Sequence, residues 1–212
     1  RAAASDILAL MTPVIKAFGT DIAFEITNIA LQCFGGHGYI VENGMEQFVR
    51  DARITQIYEG TNGVQAMDLL GRKVPEDDGR RVRQFLALVQ ADLTAAAGGA
   101  AVAALASRVE QAAQVLAGTS KQVLGRARTN PDEIGAAAAE YLRMFGLVAT
   151  GWMWIRSAMA AVRTKADAPE RTAEKLATAR FYVERLLPAV HALAAQISAG
   201  AEPVMAVDLS AR

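Results

Sequence analysis

Between Ile134 and Val162, apolar residues return every three or four positions: Ile134, Ala138, Tyr141, Phe145, Val148, Trp152, Ile155, Met159 and Val162. Such spacing lines one face of a 3.6-residue period, so this stretch buries a stripe only as a helix. The rhythm recurs in Val183, Leu186, Val190, Leu193 and Ile197. Alternating β-branched runs are scarce, while alanine, leucine, glutamate and arginine abound. The fold class this dictates is all-α.

Punctuation divides the chain further. Helices are expected over about Ala2–Phe18, with Pro13 as a kink or break, and over Thr20–Cys33, with Ile22, Ile26, Ile29 and Ala30 on one stripe. "FGGHGYIVENG", Phe34–Gly44, then breaks regular structure with four glycines. A short helix over about Met45–Ile57 and another over Asn62–Arg72 follow. "KVPEDDGR", Lys73–Arg80, reads as a linker, because Pro75, Gly79 and clustered charge succeed a helix end. The expected division is a helical part over 1–74, a linker over 75–80 and a second helical part over 81–212. That second part should hold helices over Arg81–Ala97, Ala100–Ala127, Pro131–Thr164 and Pro169–Ala199, the last bent at Pro188. The final two, joined by "KADAPE", should form an antiparallel hairpin.

With 212 residues the chain can bury roughly 70% of its unfolded surface, enough for a real core. Its 22 basic and 22 acidic residues cancel, so no net field attracts nucleic acid or an anionic membrane. A lone Cys33 rules out an internal disulfide and a multi-cysteine zinc site, which fits a reducing compartment such as the cytoplasm. Starting at Arg1 with no leader, the sequence reads as a piece of a longer product. Its longest charge-free apolar run, Met144–Ile155, is about 18 Å long as a helix, against about 30 Å of hydrocarbon. A buried helix is expected there, not a membrane span.

The chemistry concentrates in "QIYEGTNGVQ", Gln56–Gln65. Glu59 stands there between an apolar helix end and the next helix start, as a cap, a salt-bridge partner or a base. A carboxylate near a helix N-terminus is favoured by the macrodipole, but Thr61 and Asn62 are themselves good caps. Gly60 leaves space beside the carboxylate, and apolar Ile57 and Tyr58 would raise its pKa toward that of a working base. In "LQCFGGHGY", Gly35 and Gly36 are either a left-handed helix stop or a close approach to a phosphate. His37 has only His191 as a second histidine, so a structural or contact role fits it better than a base or ligand, and no metal site is expected. In "FVRDARI", Arg50, Asp51 and Arg53 crowd too closely to share one face, so at least one should reach another element. Trp152 and Trp154 are expected in the core or an interface.

Taken together, these stretches resemble the acyl-CoA dehydrogenase family. The resemblance covers about Ala17–Lys73 and rests on three linked motifs: Q-x-x-G-G-x-G-Y from Gln32, R-D-A-R-I from Arg50 and I-Y-E-G-T-N-G-x-Q from Ile57. The remainder, about Arg80–Asp208, is similar to an extra C-terminal helical domain of a larger-bodied branch that includes long-chain and methylmercaptopropionyl-CoA dehydrogenases. The resemblance implies part of that family's C-terminal helical bundle followed by a second bundle with long antiparallel helices. It also implies a flavoenzyme that desaturates an acyl-CoA between its α and β carbons. Glu59 would take the α-proton, with Tyr58 and Gly60 beside the substrate. Thr61, Asn62 and Gly63 match positions touching FAD, and Gln32, Gly35 and Gly36 match the segment reaching a neighbouring subunit's FAD. A homodimer or higher homo-oligomer and an electron-transfer flavoprotein would be the partners. The family's N-terminal and middle domains are absent, so the 212 residues should not catalyse alone. An acyl-CoA oxidase, or a non-catalytic assembly module over Arg80–Asp208, are the competing readings.

Overall fold

The computed structural model describes residues 2–164 and 168–207. Their regular structure is all helical: α1 (Ala2–Cys33), two 3₁₀ turns (Gly35–Tyr39 and Val41–Asn43), α2 (Met45–Thr55), α3 (Asn62–Asp68), α4 (Glu76–Ala97), α5 (Ala100–Ala127), α6 (Asp132–Arg163), α7 (Pro169–Phe181), α8 (Ala189–Ser198) and α9 (Glu202–Met205). Five-residue π segments extend α3 (Leu69–Lys73) and α7 (Tyr182–Leu186). No strand occurs among the described residues.

Helix α6 is the axis of the molecule and touches α1, α3, α4, α5, α7 and α8. Its Tyr141, Phe145, Val148 and Ile155 are fully enclosed, as the spacing requires. Phe145 meets Phe85 of α4 with ring centroids 4.7 Å apart, and Phe85 and Trp152 pack perpendicular to each other at 5.6 Å. The Tyr141 hydroxyl is hydrogen-bonded to Ser120 of α5 at 2.7 Å, and burial pushes its pKa above the ordinary tyrosine value. Trp152 packs on the core and donates Nε1–H to Asp92 at 2.7 Å, while Trp154 lies beneath the Lys175 ammonium.

Two expectations about proline need correction. Pro13 neither breaks nor ends the first helix: α1 runs unbroken through it for 32 residues. An interior proline costs about 3 kcal/mol. Leu10 and Val14, buried on either side, each return roughly 1.5–3 kcal/mol and outweigh it. Pro188, expected only to bend one long helix, separates two: α7 ends in its π segment, and Pro188 caps α8. Part of the "KADAPE" connection, Lys165–Asp167, lies outside the described residues, as does the chain after Val207.

The expected linker is also shorter in space than in sequence. Val74 is fully buried, and helix resumes at Glu76, so the break between the two parts is a two-residue turn. Left-handed Asp78 (φ 54°) and Gly79 (φ 76°) mark this first turn of α4. One hydrophobic core runs from Leu10 to Ile197 across the boundary. Asp6 of α1 accepts hydrogen bonds from Arg80 and Arg81 of α4, and the Arg80 guanidinium chiefly holds its carboxyl below the usual range. At the far end, Glu133 of α6 binds Arg126 of α5 at 2.8 Å and the Ala201 N–H at 3.2 Å, and Arg126 donates to the Ile197 carbonyl.

Gly146 sets the approach of α1 to α6. A Cβ there would lie 2.3 Å from Cγ of Phe18. Gly146→Val is therefore expected to destabilise the protein by about 1–3 kcal/mol, the usual range for overpacking. Thermal unfolding of Gly146→Val beside Gly146→Val/Phe18→Ala checks this, because the second change should recover part of the loss.

Helices α1 and α6 are both long and apolar enough to cross a membrane by length and composition. The Met144–Ile155 run belongs to a 32-residue helix, so its own length sets no limit. In that run Met144, Phe145, Gly146, Leu147, Val148, Ala149, Gly151 and Ile155 are buried in protein. Beyond Ala17, α1 buries no residue, and its Ile26 and Ile29, from the expected stripe, are 59% and 63% exposed.

Candidate functional site

The turn between α2 and α3 carries Glu59. Helix α2 closes at Thr55, whose hydroxyl returns to the Ala52 carbonyl, and the Ile57 and Tyr58 amides both bond to Ile54. Glu59 (φ 53°) and Gly60 (φ 83°) then lie consecutively in the left-handed region. For Gly60 this is unstrained, but for Glu59 it costs roughly 1–2 kcal/mol. The Asn62 amide closes the loop on the Gln56 carbonyl at 3.1 Å, and α3 begins.

Helix α1 holds this turn from outside. Lys16 Nζ donates to the Gly60 carbonyl at 2.7 Å and to Asn62 Oδ1 at 2.8 Å. Asn62 Nδ2 donates to Asp21 Oδ1 at 2.7 Å and to Thr20 Oγ1 at 2.9 Å. Gln56 Nε2 reaches the same Asp21 oxygen at 2.6 Å, and Gln56 Oε1 accepts from Arg53 at 3.0 Å. Lys16, Thr20 and Asp21 were not among the residues singled out from sequence. Their signal was the i, i+4 spacing of Lys16 and Thr20 in "KAFGTD", which stacks these two on successive turns, with Asp21 following directly.

Against this frame the Glu59 carboxylate stands free. It is exposed, and among the described residues it has no hydrogen bond or ion pair. Nor does it cap α3: Thr61 holds the cap position (φ −54°, ψ 154°), and even its hydroxyl makes no capping bond, contrary to expectation. Of cap, salt bridge and base, the first two are not made. Ile57 and Tyr58, expected as an apolar lining, are 46% and 49% exposed.

The other candidates divide. Thr61, Gly63, Tyr58 and Gly60 are exposed around Glu59, whereas Asn62 is half-buried with its side chain turned into α1. Gln32, Gly35 and Gly36 are exposed at the far end of α1, and Gly35 is a left-handed stop (φ 59°). Gly38 is the glycine that packing demands, since a Cβ there would lie 2.6 Å from the Leu31 carbonyl oxygen. Gln32 follows Asp21 by eleven residues, about 17 Å of helix, so the two groups form no single pocket within this chain. His37 is exposed, and its carbonyl receives Asn43 Nδ2 at 2.7 Å. Contrary to expectation, Asp51 and Arg53 satisfy themselves locally, with Gln47 and Gln56, and among the described residues none of Arg50, Asp51 and Arg53 makes a hydrogen bond or ion pair directly to another helix. The helical rise lets each meet a neighbour three or four residues away.

Known proteins resemble this chain over both of its parts. Residues 3–74 match the family model described as acyl-CoA dehydrogenase, C-terminal domain, and residues 80–208 match one described as acetyl-CoA dehydrogenase C-terminal like. A 3-methylmercaptopropionyl-CoA dehydrogenase of Ruegeria pomeroyi is 38% identical over 88% of this chain and 32% of its own length. A broad-specificity linear acyl-CoA dehydrogenase of Mycobacterium tuberculosis is 28% identical over 84% of this chain and 31% of its own. The chain thus spans about a third of the curated relatives it matches. The solved structure of Caenorhabditis elegans ACDH-11, in complex with C11-CoA, shares the fold with a TM-score of 0.72 at 22% identity, over 88% of this chain and 30% of that one. The chain belongs to the acyl-CoA dehydrogenase family, and it corresponds to the C-terminal helical portion of its members.

Proposed function

We propose that the intact protein desaturates an acyl-CoA thioester, with Glu59 as the base that removes the α-proton. The observation that carries this reading is a carboxylate with no partner among the described residues on a strained left-handed residue. Backbone strain at an exposed acid is a feature to explain, and holding a base toward a substrate explains it. In the step, the Cα–H bond breaks, the proton passes to a Glu59 carboxylate oxygen, and the electron pair forms the Cα–Cβ double bond as hydride leaves Cβ. FAD, when bound, supplies the hydride acceptor. The thioester carbonyl acidifies the α-carbon, so a carboxylate suffices as base.

The residues present fit a flavin in part. Thr61, Gly63, Gln32, Gly35 and Gly36 are all exposed, and nothing lies within 4 Å of a Cβ built on Gly35, Gly36 or Gly63, so a planar ligand can approach them. Asn62 does not fit, because its amide is engaged by Lys16, Thr20 and Asp21 and its N–H by Gln56. We assign it to holding the turn. The separation of Gln32–Gly36 from Thr61–Gly63 accords with two subunits contributing to one flavin, and hence with a homodimer or larger homo-oligomer. Tyr58 and Gly60 would flank the substrate.

The visible spectrum of the full-length protein, titrated with a panel of acyl-CoA thioesters, tests this. Flavin absorbance should bleach with at least one thioester. A protein without flavin, or one indifferent to every thioester, contradicts the proposal. Reoxidation by an electron-transfer flavoprotein is expected, and stoichiometric peroxide in its place would assign an oxidase. Among the described residues, 80–208 bring no candidate catalytic group to the Glu59 turn, and we assign them to assembly; deleting them should split the oligomer or expose the active site, and a monodisperse, fully active truncation would count against this.

A further inference from the structure

The long-range polar contacts of the Glu59 turn converge on one turn of α1, on Lys16, Thr20, Asp21 and the Ala17 carbonyl. Lys16 and Asp21 are not joined to each other there. They are linked through the Asn62 amide, whose oxygen takes Lys16 at 2.8 Å and whose nitrogen gives to Asp21 at 2.7 Å. This ordering has one orientation: a flipped amide would set NH₂ against the ammonium and oxygen against the carboxylate. Each ion also grips the loop itself. Lys16 binds the carbonyl of Gly60, immediately after Glu59, and Asp21 binds the side chain of Gln56, three residues before it. Hydrogen bonds to charged groups are roughly twice as strong as neutral ones, so both flanks of the left-handed residue are fixed by strong contacts.

We infer that Lys16 and Asp21, linked through Asn62, are positioning residues that hold the Glu59 carboxylate where the thioester meets it. They touch neither substrate nor flavin in this account, and the inference rests on Glu59 being the base. Relaxing either flank lets the strained Glu59 backbone leave the left-handed region and swings its side chain away from the reacting carbon. A displacement of about 1 Å costs about 100-fold in rate.

The test uses the full-length flavoprotein. Lys16→Met should lower kcat about 100-fold, with KM for acyl-CoA and bound flavin little changed. Amide hydrogen exchange across residues 57–63 should quicken in the same variant, a readout independent of turnover. Asp21→Asn and Asn62→Asp should each slow the enzyme. Combined, they again place an acceptor before Lys16 and a donor opposite it, and should recover most of kcat; this pair also decides the matter if Lys16→Met does not fold. Wild-type kcat and exchange in Lys16→Met, or no recovery in the combined variant, overturns the inference. If those results appear while Glu59→Gln is inactive, the clamp fails and the base stands. If Glu59→Gln turns over normally, the base reading falls and takes the catalytic role of the clamp with it.

Discussion

Glu59→Gln in the full-length protein is expected to retain bound FAD and its fold while losing roughly 100- to 10,000-fold in turnover, the contribution typical of a general base. Glutamine keeps the length and the polar end of the side chain but cannot take a proton from carbon. The structure makes this substitution unusually clean. Among the described residues Glu59 has no hydrogen bond, ion pair or capping role, so nothing in the chain's own packing is lost with its charge. The contacts that secure the turn run through Gly60, Asn62 and Gln56 and are untouched. Steady-state kinetics with flavin content measured on the same preparation check the prediction, and a variant with normal turnover removes the assignment.

Phe145→Ala is expected to have the largest effect on stability, about 3–5 kcal/mol, as for a large aromatic removed from a packed interior. Phe145 is fully buried, with its ring centroid 4.7 Å from Phe85 of α4 and 6.2 Å from Tyr141 on its own helix. It therefore joins α4 to α6 within residues 80–208, the segment matched by the second family model. The loss is comparable to much of a domain's net stability of about 5–15 kcal/mol. Denaturant unfolding should show a lowered midpoint, and a midpoint shift equal to that of an exposed position such as Phe181→Ala would contradict the packing described.

The parts of the fold readable from sequence are those where local punctuation and burial agree. Helix α5 has the bounds expected of it because Gly98-Gly99 and Thr129-Asn130-Pro131 interrupt helix on either side, and α6 follows from its unbroken spacing. Pro13 and Pro188 were misjudged in opposite directions because proline's local cost is fixed while the packing around it is not. Buried Leu10 and Val14 carry α1 through Pro13, whereas the π segment ahead of Pro188 has already ended α7. At the site, the order of motifs marked the turn and its acid. What holds the turn was not legible, since Lys16 and Asn62 are 46 positions apart and meet only when α1 lies along α3. Asn62 illustrates the difference: its motif position pointed to FAD, while its hydrogen bonds point to α1. The exposed Phe34, Tyr39, Phe48 and Tyr58 accompany a chain about a third as long as its relatives, so periodicity alone could not say what covers them.

In the proposed reaction the acid of the 56–65 turn faces the α-carbon of a bound thioester. The most direct measurement is exchange of the α-hydrogens of acyl-CoA with deuterated water, catalysed by the full-length flavoprotein under anaerobic conditions. Wild type should exchange them and Glu59→Gln should not, although both bind the thioester. Exchange at the wild-type rate in Glu59→Gln would place the base elsewhere and contradict the account.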